Sequence, residues 1–245
     1  MPTMGSTAPA TPCGALNLGD AEVNSAMVLI QLANPGAAVF HAVFTSLINP
    51  RTGGYISEVP TASYMMARQL AHAWGVPCLG GARLSGDAPG LGWQSGFEVG
   101  LGSALSAISG GEICGLLGLV NSAMTLFPEE VILDHDACYH VYEMLNSKRF
   151  TEIDSSLEVI KSVGQRGHFM AQKHTRDQIR GFYISPLRDQ KGTDNQPRGA
   201  RDAARERFKQ IEASHKPQPL PGEVLAELDK ILESAESTAE DLFGK

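Results

Sequence analysis

Residues 20–47 read DAEVNSAMVLIQLANPGAAVFHAVFTSL and contain one complete change of structural period. Asp20 to Ala33 places Val23, Met27, Ile30 and Ala33 at helical spacing and stops at Asn34-Pro35-Gly36, a helix ending followed by a breaker. Ala38 to Leu47 then runs short, β-branched and aromatic, the composition of a buried strand. A helix, a breaker and a buried strand in that order form one unit of an alternating α/β chain.

The alternation continues downstream. Residues 60–74 open with Pro60, suited to a first helical position, carry Met66, Leu70 and Ala73 on one stripe and end at Gly75. Pro77 to Leu84 then reads as a strand, Gly92 to Ile108 as a helix of small residues, and Ile113 to Val120 (ICGLLGLV) as a continuous apolar strand. Pro128-Glu129-Glu130 starts a further helix with two acids that favour its dipole. The expected strands lie near 38–46, 77–84 and 112–120, and the expected helices near 20–33, 60–74, 92–109 and 128–147. Strands separated by helices predict βαβ units and a parallel sheet. A complete (β/α)8 barrel takes about 250 residues, yet three full strands and a possible strand end before Gly5 make only half of one. The expected fold is therefore α/β, a partial (β/α)8 TIM-type barrel with about half the strands and a helical C-terminal extension. Loops 48–58, 85–92 and 121–127 should open on one face, and unclosed sheet edges should drive self-association into a homo-oligomer.

Charge marks the domain boundary. Residues 1–147 carry 3 basic and 11 acidic side chains, whereas residues 148–245 carry 17 and 16. The expected division is 1–150 for the barrel half and 151–245 for helices that pack on it, including Ser155 to Arg166, a stretch through His174 to Arg180, Arg201 to Ala213, and Glu223 to Leu242. Leu225, Leu228, Ile231, Leu232 and Leu242 stripe the last of these.

Composition narrows the function. With 42% hydrophobic and 19% charged residues among 245, the chain is an ordinary globular one. A net charge of −7 with no basic stripe argues against nucleic acid. The apolar runs fall short of the roughly 18 residues a membrane span needs and the first residues lack a signal-peptide pattern, so no membrane partner and a cytoplasmic location are expected. Cys13, Cys78, Cys114 and Cys138 show no CxxC spacing and read as free thiols. GxGxxG, GxxxxGK[ST], HExxH and GxSxG are missing. His135, Cys138 and His140 share one helix, but His140 falls off the face of the other two, so no metal site is expected there. His168 and His174 stand in a charged region.

Three loops follow the expected strands: Asn49-Pro50-Arg51-Thr52-Gly53-Gly54-Tyr55, Ser85-Gly86-Asp87-Ala88-Pro89-Gly90 and Asn121-Ser122-Ala123-Met124-Thr125. Around them the chain resembles the trimethylamine methyltransferase family. Gly5-Ser6-Thr7-Ala8-Pro9-Ala10-Thr11-Pro12 with Gly14-Ala15-Leu16 is similar to that family's G-x-T-A-P-x-T-x-x-G-A-L block, and Asp20-Ala21-Glu22 to the helix start that follows it. Asn49-Pro50-Arg51-Thr52-Gly53 resembles D-M-R-T-G, with Glu58 near the family's downstream Glu. Gly80-Gly81 through Asp87-Ala88, then Gln94-Ser95-Gly96-Phe97-Glu98, resembles G-G … D-A-K … Q-A-G-x-E. Gly167-His168-Phe169, His174-Thr175, Arg180, Pro186 and Arg188-Asp189 resemble the C-terminal signature. The likeness covers the C-terminal half of such proteins. Asn49 for Asp, an additional Gly86 and Pro89 for Lys depart from the pattern.

The resemblance implies methyl transfer from a methylated amine to the Co(I) of a corrinoid, with no cofactor bound directly and cobalamin carried by a partner corrinoid protein. Pyrrolysine, where the family has it, falls near Leu84 and Ser85, which are ordinary residues here. That favours the pyrrolysine-free branch and a quaternary amine such as a betaine. Such a donor leaves as a neutral tertiary amine and needs no general acid, so no catalytic side chain, bound zinc or other metal is assigned. An aromatic face from Phe44, Tyr55 or Trp93 suits a methylammonium, and Arg51 suits a substrate carboxylate. Ser85, Asp87, Gln94, Glu98 and Asn121 complete the expected substrate-binding set. The rival expectations are a non-catalytic half-barrel or partner-binding subunit of the same family, and a different barrel enzyme with its own small substrate.

Overall fold

The computed structural model describes residues 1–56, 61–81, 86–146, 155–188 and 198–243. The chain divides into two compact units, Met1–Phe208 and Lys209–Lys245. The first begins with β1 (Thr3–Met4) and α1 (Pro12–Ala33), followed by β2 (Ser46–Ile48), β3 (Tyr55–Ile56) and α2 (Thr61–Ala73). Then come β4 (Leu79–Gly81), α3 (Trp93–Ile108), β5 (Ile113–Gly115), β6 (Leu119–Val120), β7 (Thr125–Leu126) and α4 (Pro128–Asn146). The short α5 (Leu157–Val163) and α6 (Lys173–Ile179) precede α7 (Ala200–Ser214). In the second unit, α8 (Gly222–Phe243) exposes Leu225, Leu228, Ile231 and Leu232. The chain is mixed α/β and mostly helical. No described helix is long and apolar enough to cross a membrane.

The parallel pairings follow chain order. β1 lies parallel to β2, a parallel bridge joins His41 to Cys78, and β4 lies parallel to β5. Two antiparallel hairpins add to them, β2 with β3 and β6 with β7. These pairings make three small sheets, and the described strands do not close into a barrel.

Three expectations are corrected. The first helix begins at Pro12, not at Asp20: the Thr11 hydroxyl accepts the Gly14 N–H at 3.2 Å and caps it, with Pro12 in the first turn where its missing N–H costs nothing. The strand expected over 38–46 is reduced to Ser46–Ile48 and the His41 bridge. Its hydrogen bonds go to different neighbours at its two ends, His41 N–H to Pro77 O and Ser46 N–H to Pro2 O, so neither side builds a long ladder. The strand expected over 112–120 breaks into β5 and β6 because Leu116 (φ 65°) and Gly118 (φ 80°) leave the extended region. The Gly118 N–H turns instead to Asp134 Oδ2 at 2.7 Å.

Packing explains which stripe of each helix counts. α1 buries Ala15, Leu16 and Gly19, while Val28, Leu29, Ile30 and Leu32 stay exposed. Leu16 joins Val43 and Ala67 in one core cluster, with Val23, Met66 and Leu70 around it. Met66 and Leu70 therefore serve as expected, whereas Ala73 is exposed. Leu187, Ala203 and Ala204 form a second cluster against Ile132 and Leu133 of α4. Pro60, expected to open α2, lies outside the described residues.

Two substitutions test this account. Asp20→Ala strands the buried His41 ring N–H, which meets Asp20 Oδ1 at 2.8 Å, and should cost about 1–3 kcal/mol in urea unfolding. Gly118→Ala forces a side chain into positive φ and puts a Cβ 2.4 Å from Val131 Cγ2, for a loss of about 1–3 kcal/mol.

Candidate functional site

Parallel strands deliver their following loops to one end of the sheet, the end where ligands meet such folds. Residues 86–88, downstream of β4, and the turn between β6 and β7 are joined directly. The Asn121 N–H donates to Ala88 O and the Ser122 N–H to Gly86 O, both at 2.7 Å. Asn121, Ser122 and Ala123 all hold positive φ, 54–62°, so three successive residues with side chains sit in the left-handed region. Gly86 (φ 65°) makes this approach possible, since a Cβ there would fall 2.8 Å from Leu119 O. Gly86 is thus the residue that admits the second loop.

The expected binding residues distribute unevenly over this end. Trp93 begins α3, is 82% exposed and stacks on Phe97 with ring centroids 5.4 Å apart. One turn on, the Gln94 amide donates to Glu98 Oε1 at 2.9 Å, and Glu98 is fully buried. Asp87 lies near Tyr64, whose phenol is pushed up first by burial and then by the Asp87 charge, with Arg68 opposing. These residues and Asn121 therefore flank one pair of loops. Arg51 and Tyr55 stand on the β2–β3 turn, where Asn49 Oδ1 accepts the Arg51 N–H at 2.9 Å. Both are exposed, and among the described residues no ion pair engages Arg51. Phe44 is set apart from them: it packs edge-on against Tyr64 at 6.2 Å, between the strand layer and α2. The cavity at that layer, bounded by His41, Phe44, Tyr64, Arg68 and Cys78, holds about 20 Å³, room for a single water and not for a methylated ammonium. Ser85 and Glu58 lie outside the described residues.

Beneath the loops, α3 and α4 meet through polar groups. The Ser95 hydroxyl donates to Glu130, and Glu98, Glu130 and Asp134 are all buried. Asp136 fixes the tail onto α4, accepting from the Tyr183 hydroxyl at 2.7 Å and the Ser185 hydroxyl at 2.8 Å. His174, singled out in the sequence, is hydrogen-bonded to the Ser156 hydroxyl at 3.1 Å. His135 stacks on Tyr139, and His140 lies edge-on to Tyr183 at 4.8 Å with its Nδ1 3.1 Å from Asp136 O.

Sequence reasoning passed over a group at the opposite ends of β4 and β5. His72, Cys78 and Glu112 bring their ligand-type atoms within 4.8 Å of one another. Glu112 is already engaged there: the Cys78 N–H donates to Oε2 at 2.9 Å, the Cys78 thiol to the same oxygen at 3.1 Å, and His72 to Oε1 at 2.8 Å. The Cys78 amide and thiol, then His72, hold the carboxyl at about 2, down from 4.5. Separations of 6 and 34 residues concealed this group, which only the β4–β5 pairing assembles.

The comparisons with known proteins bear on the whole chain. Residues 2–238 match the family model described as trimethylamine methyltransferase. A glycine betaine methyltransferase of Desulfitobacterium hafniense (strain Y51) is 29% identical over 93% of this chain and 49% of its own. A trimethylamine methyltransferase of the same species (strain DSM 10664 / DCB-2) is 26% identical over 95% and 48%. One of Methanosarcina barkeri (strain Fusaro / DSM 804) is 27% identical over 96% and 49%. The chain spans about half the length of the curated relatives it matches.

The Glu112 network has a pH signature. A carboxyl held at about 2 in the fold and near 4.5 unfolded contributes stability above pH 4.5 that disappears as pH falls toward 2. Glu112→Gln should flatten that acid leg in urea midpoints measured across the same window.

Proposed function

The chain belongs to the trimethylamine methyltransferase family, and on that premise we propose that it takes part in moving a methyl group from a quaternary amine such as a betaine to a corrinoid carried by a separate protein. The observation that carries this reading is the family match over residues 2–238, together with a relative named glycine betaine methyltransferase. Co(I) of the corrinoid supplies the nucleophile when that partner is bound. The loop end suits such a visitor, because Trp93 and Met124 present broad apolar surface at 82% and 81% exposure.

The chain's own residues bind and orient. The stacked Trp93–Phe97 pair offers an aromatic face to a methylammonium, an attraction worth about 0.5–2 kcal/mol. Arg51, exposed on its turn, takes a substrate carboxylate in a charge-assisted hydrogen bond. Asp87, Gln94, Glu98 and Asn121 shape the loop pair, with the Gln94–Glu98 bond fixing the start of α3 beneath Trp93. The departing tertiary amine is neutral, so proton donation is not required of any of them. In the same reading, the ordered parallel pairings of β1, the 41–48 segment, β4 and β5 are an arc of a (β/α)8 barrel within residues 1–150, and residues 151–245 are its helical extension.

The test is methyl transfer from glycine betaine to reduced cobalamin, followed by visible absorbance, with betaine binding measured in parallel. Trp93→Ala should weaken binding of any quaternary amine about ten-fold. Arg51→Met should weaken glycine betaine by about ten- to a hundred-fold and leave choline, which lacks the carboxylate, unchanged. A chain that neither binds nor demethylates any quaternary amine overturns the proposal.

A further inference from the structure

Cys114 lies on β5 and Cys138 on α4, and their Sγ atoms are 3.6 Å apart although 24 residues separate them. Neither is in a disulfide, Cys114 is exposed and Cys138 half-buried, so small reagents reach the pair. Close by sits an unusual cation: Arg68 is only 5% exposed, and its Nε has no hydrogen-bond partner among the described residues. Its charge acts on both the Cys78 and the Cys114 thiols. A buried guanidinium of this kind favours a thiolate, the nucleophilic form of cysteine. Cys78 does not share the consequence, because burial and its bond to Glu112 push its thiol up. For Cys114 the balance goes the other way: the Cys138 contact first, and Arg68 after it, bring the thiol down to about 7, with burial and Asp134 opposing.

We infer that Cys114 and Cys138 form a reversible dithiol site that reacts with low-molecular-weight disulfides, Cys114 attacking first and Cys138 resolving. In the first step the Cys114 thiolate attacks one sulfur of R–S–S–R, forming a mixed disulfide and expelling one thiolate. In the second, the Cys138 sulfur attacks Cys114 Sγ, closing the protein disulfide and expelling the other thiolate. The protein pair loses two electrons and two protons, and the small disulfide gains them as two thiols. The contact distance lets the second step proceed without unfolding either element. Closure encircles residues 115–137, which include the Gly118–Asp134 bond and the 121–124 turn of the candidate site. The inference is independent of which amine that site takes.

The experiment treats the full chain with oxidised glutathione at neutral pH, blocks remaining thiols with iodoacetamide and maps peptides without reduction. The expected product is a Cys114–Cys138 peptide, reversed by dithiothreitol, with Cys114 reacting about five-fold faster than the exposed Cys13. In Cys138→Ser the glutathione adduct should persist on Cys114. In urea, where the pair is no longer held together, the pairing preference should vanish. Modification of Cys114 no faster than Cys13, cross-links distributed among other cysteines, or no trapped adduct in Cys138→Ser would each overturn the inference.

Discussion

His41 is the pin on which the first unit turns. Its N–H donates to Pro77 O and its carbonyl accepts from Leu79 N–H, so one residue holds the 41–48 segment to β4 from both sides. Its ring, fully buried, reaches back to Asp20 of α1, and the same carboxylate oxygen accepts from the Trp74 indole at 3.3 Å. A helix, two strand segments and the end of a second helix thus meet through one imidazole and one carboxylate. Buried polar groups of this kind are costly unless every partner is present, which makes the arrangement specific as well as cohesive.

The same economy of polar contacts governs the loop end. Gly118 and Gly86 each occupy positive φ, and in each case the released backbone group finds a partner: Asp134 for the Gly118 N–H, Ser122 for the Gly86 carbonyl. The loops that carry Asp87 and Asn121 are therefore held by main-chain bonds. The large side chains beside them, Trp93 and Met124, remain exposed. A rigid backbone with exposed aromatic surface is what a site must offer when binding and orientation, not proton transfer, are its contribution.

Several residues in the family-like blocks have structural work. Thr7 accepts the Thr3 N–H at 2.9 Å, Thr11 caps α1, and a Cβ at Gly14 would meet Pro9 Cβ at 2.7 Å. The first block therefore builds the turn between β1 and α1. That block thus has a structural part in the fold, whereas the Arg51 side chain is exposed and, among the described residues, in no ion pair.

Local pattern alone determined the main helix spans from α2 onward and the family to which the chain belongs, because periodicity, breakers and ordered motif blocks are properties of neighbouring residues. α4 and α7 begin and end within a residue or so of where their patterns place them. Contacts between distant residues decided the rest. Asp20 looks like a helix start, yet it lies inside α1 because Thr11 and Pro12 supply the cap and His41 needs its carboxylate. ICGLLGLV looks like one strand, yet Asp134 draws Gly118 out of it. Phe44 meets Tyr64 edge-on across 20 residues of sequence, and Glu112, Cys114 and Cys138 acquire meaning only from partners 24 to 40 residues away. Burial and hydrogen bonding are satisfied across space, so where a strand stops and which side chains meet are settled by tertiary partners that no stretch of sequence contains.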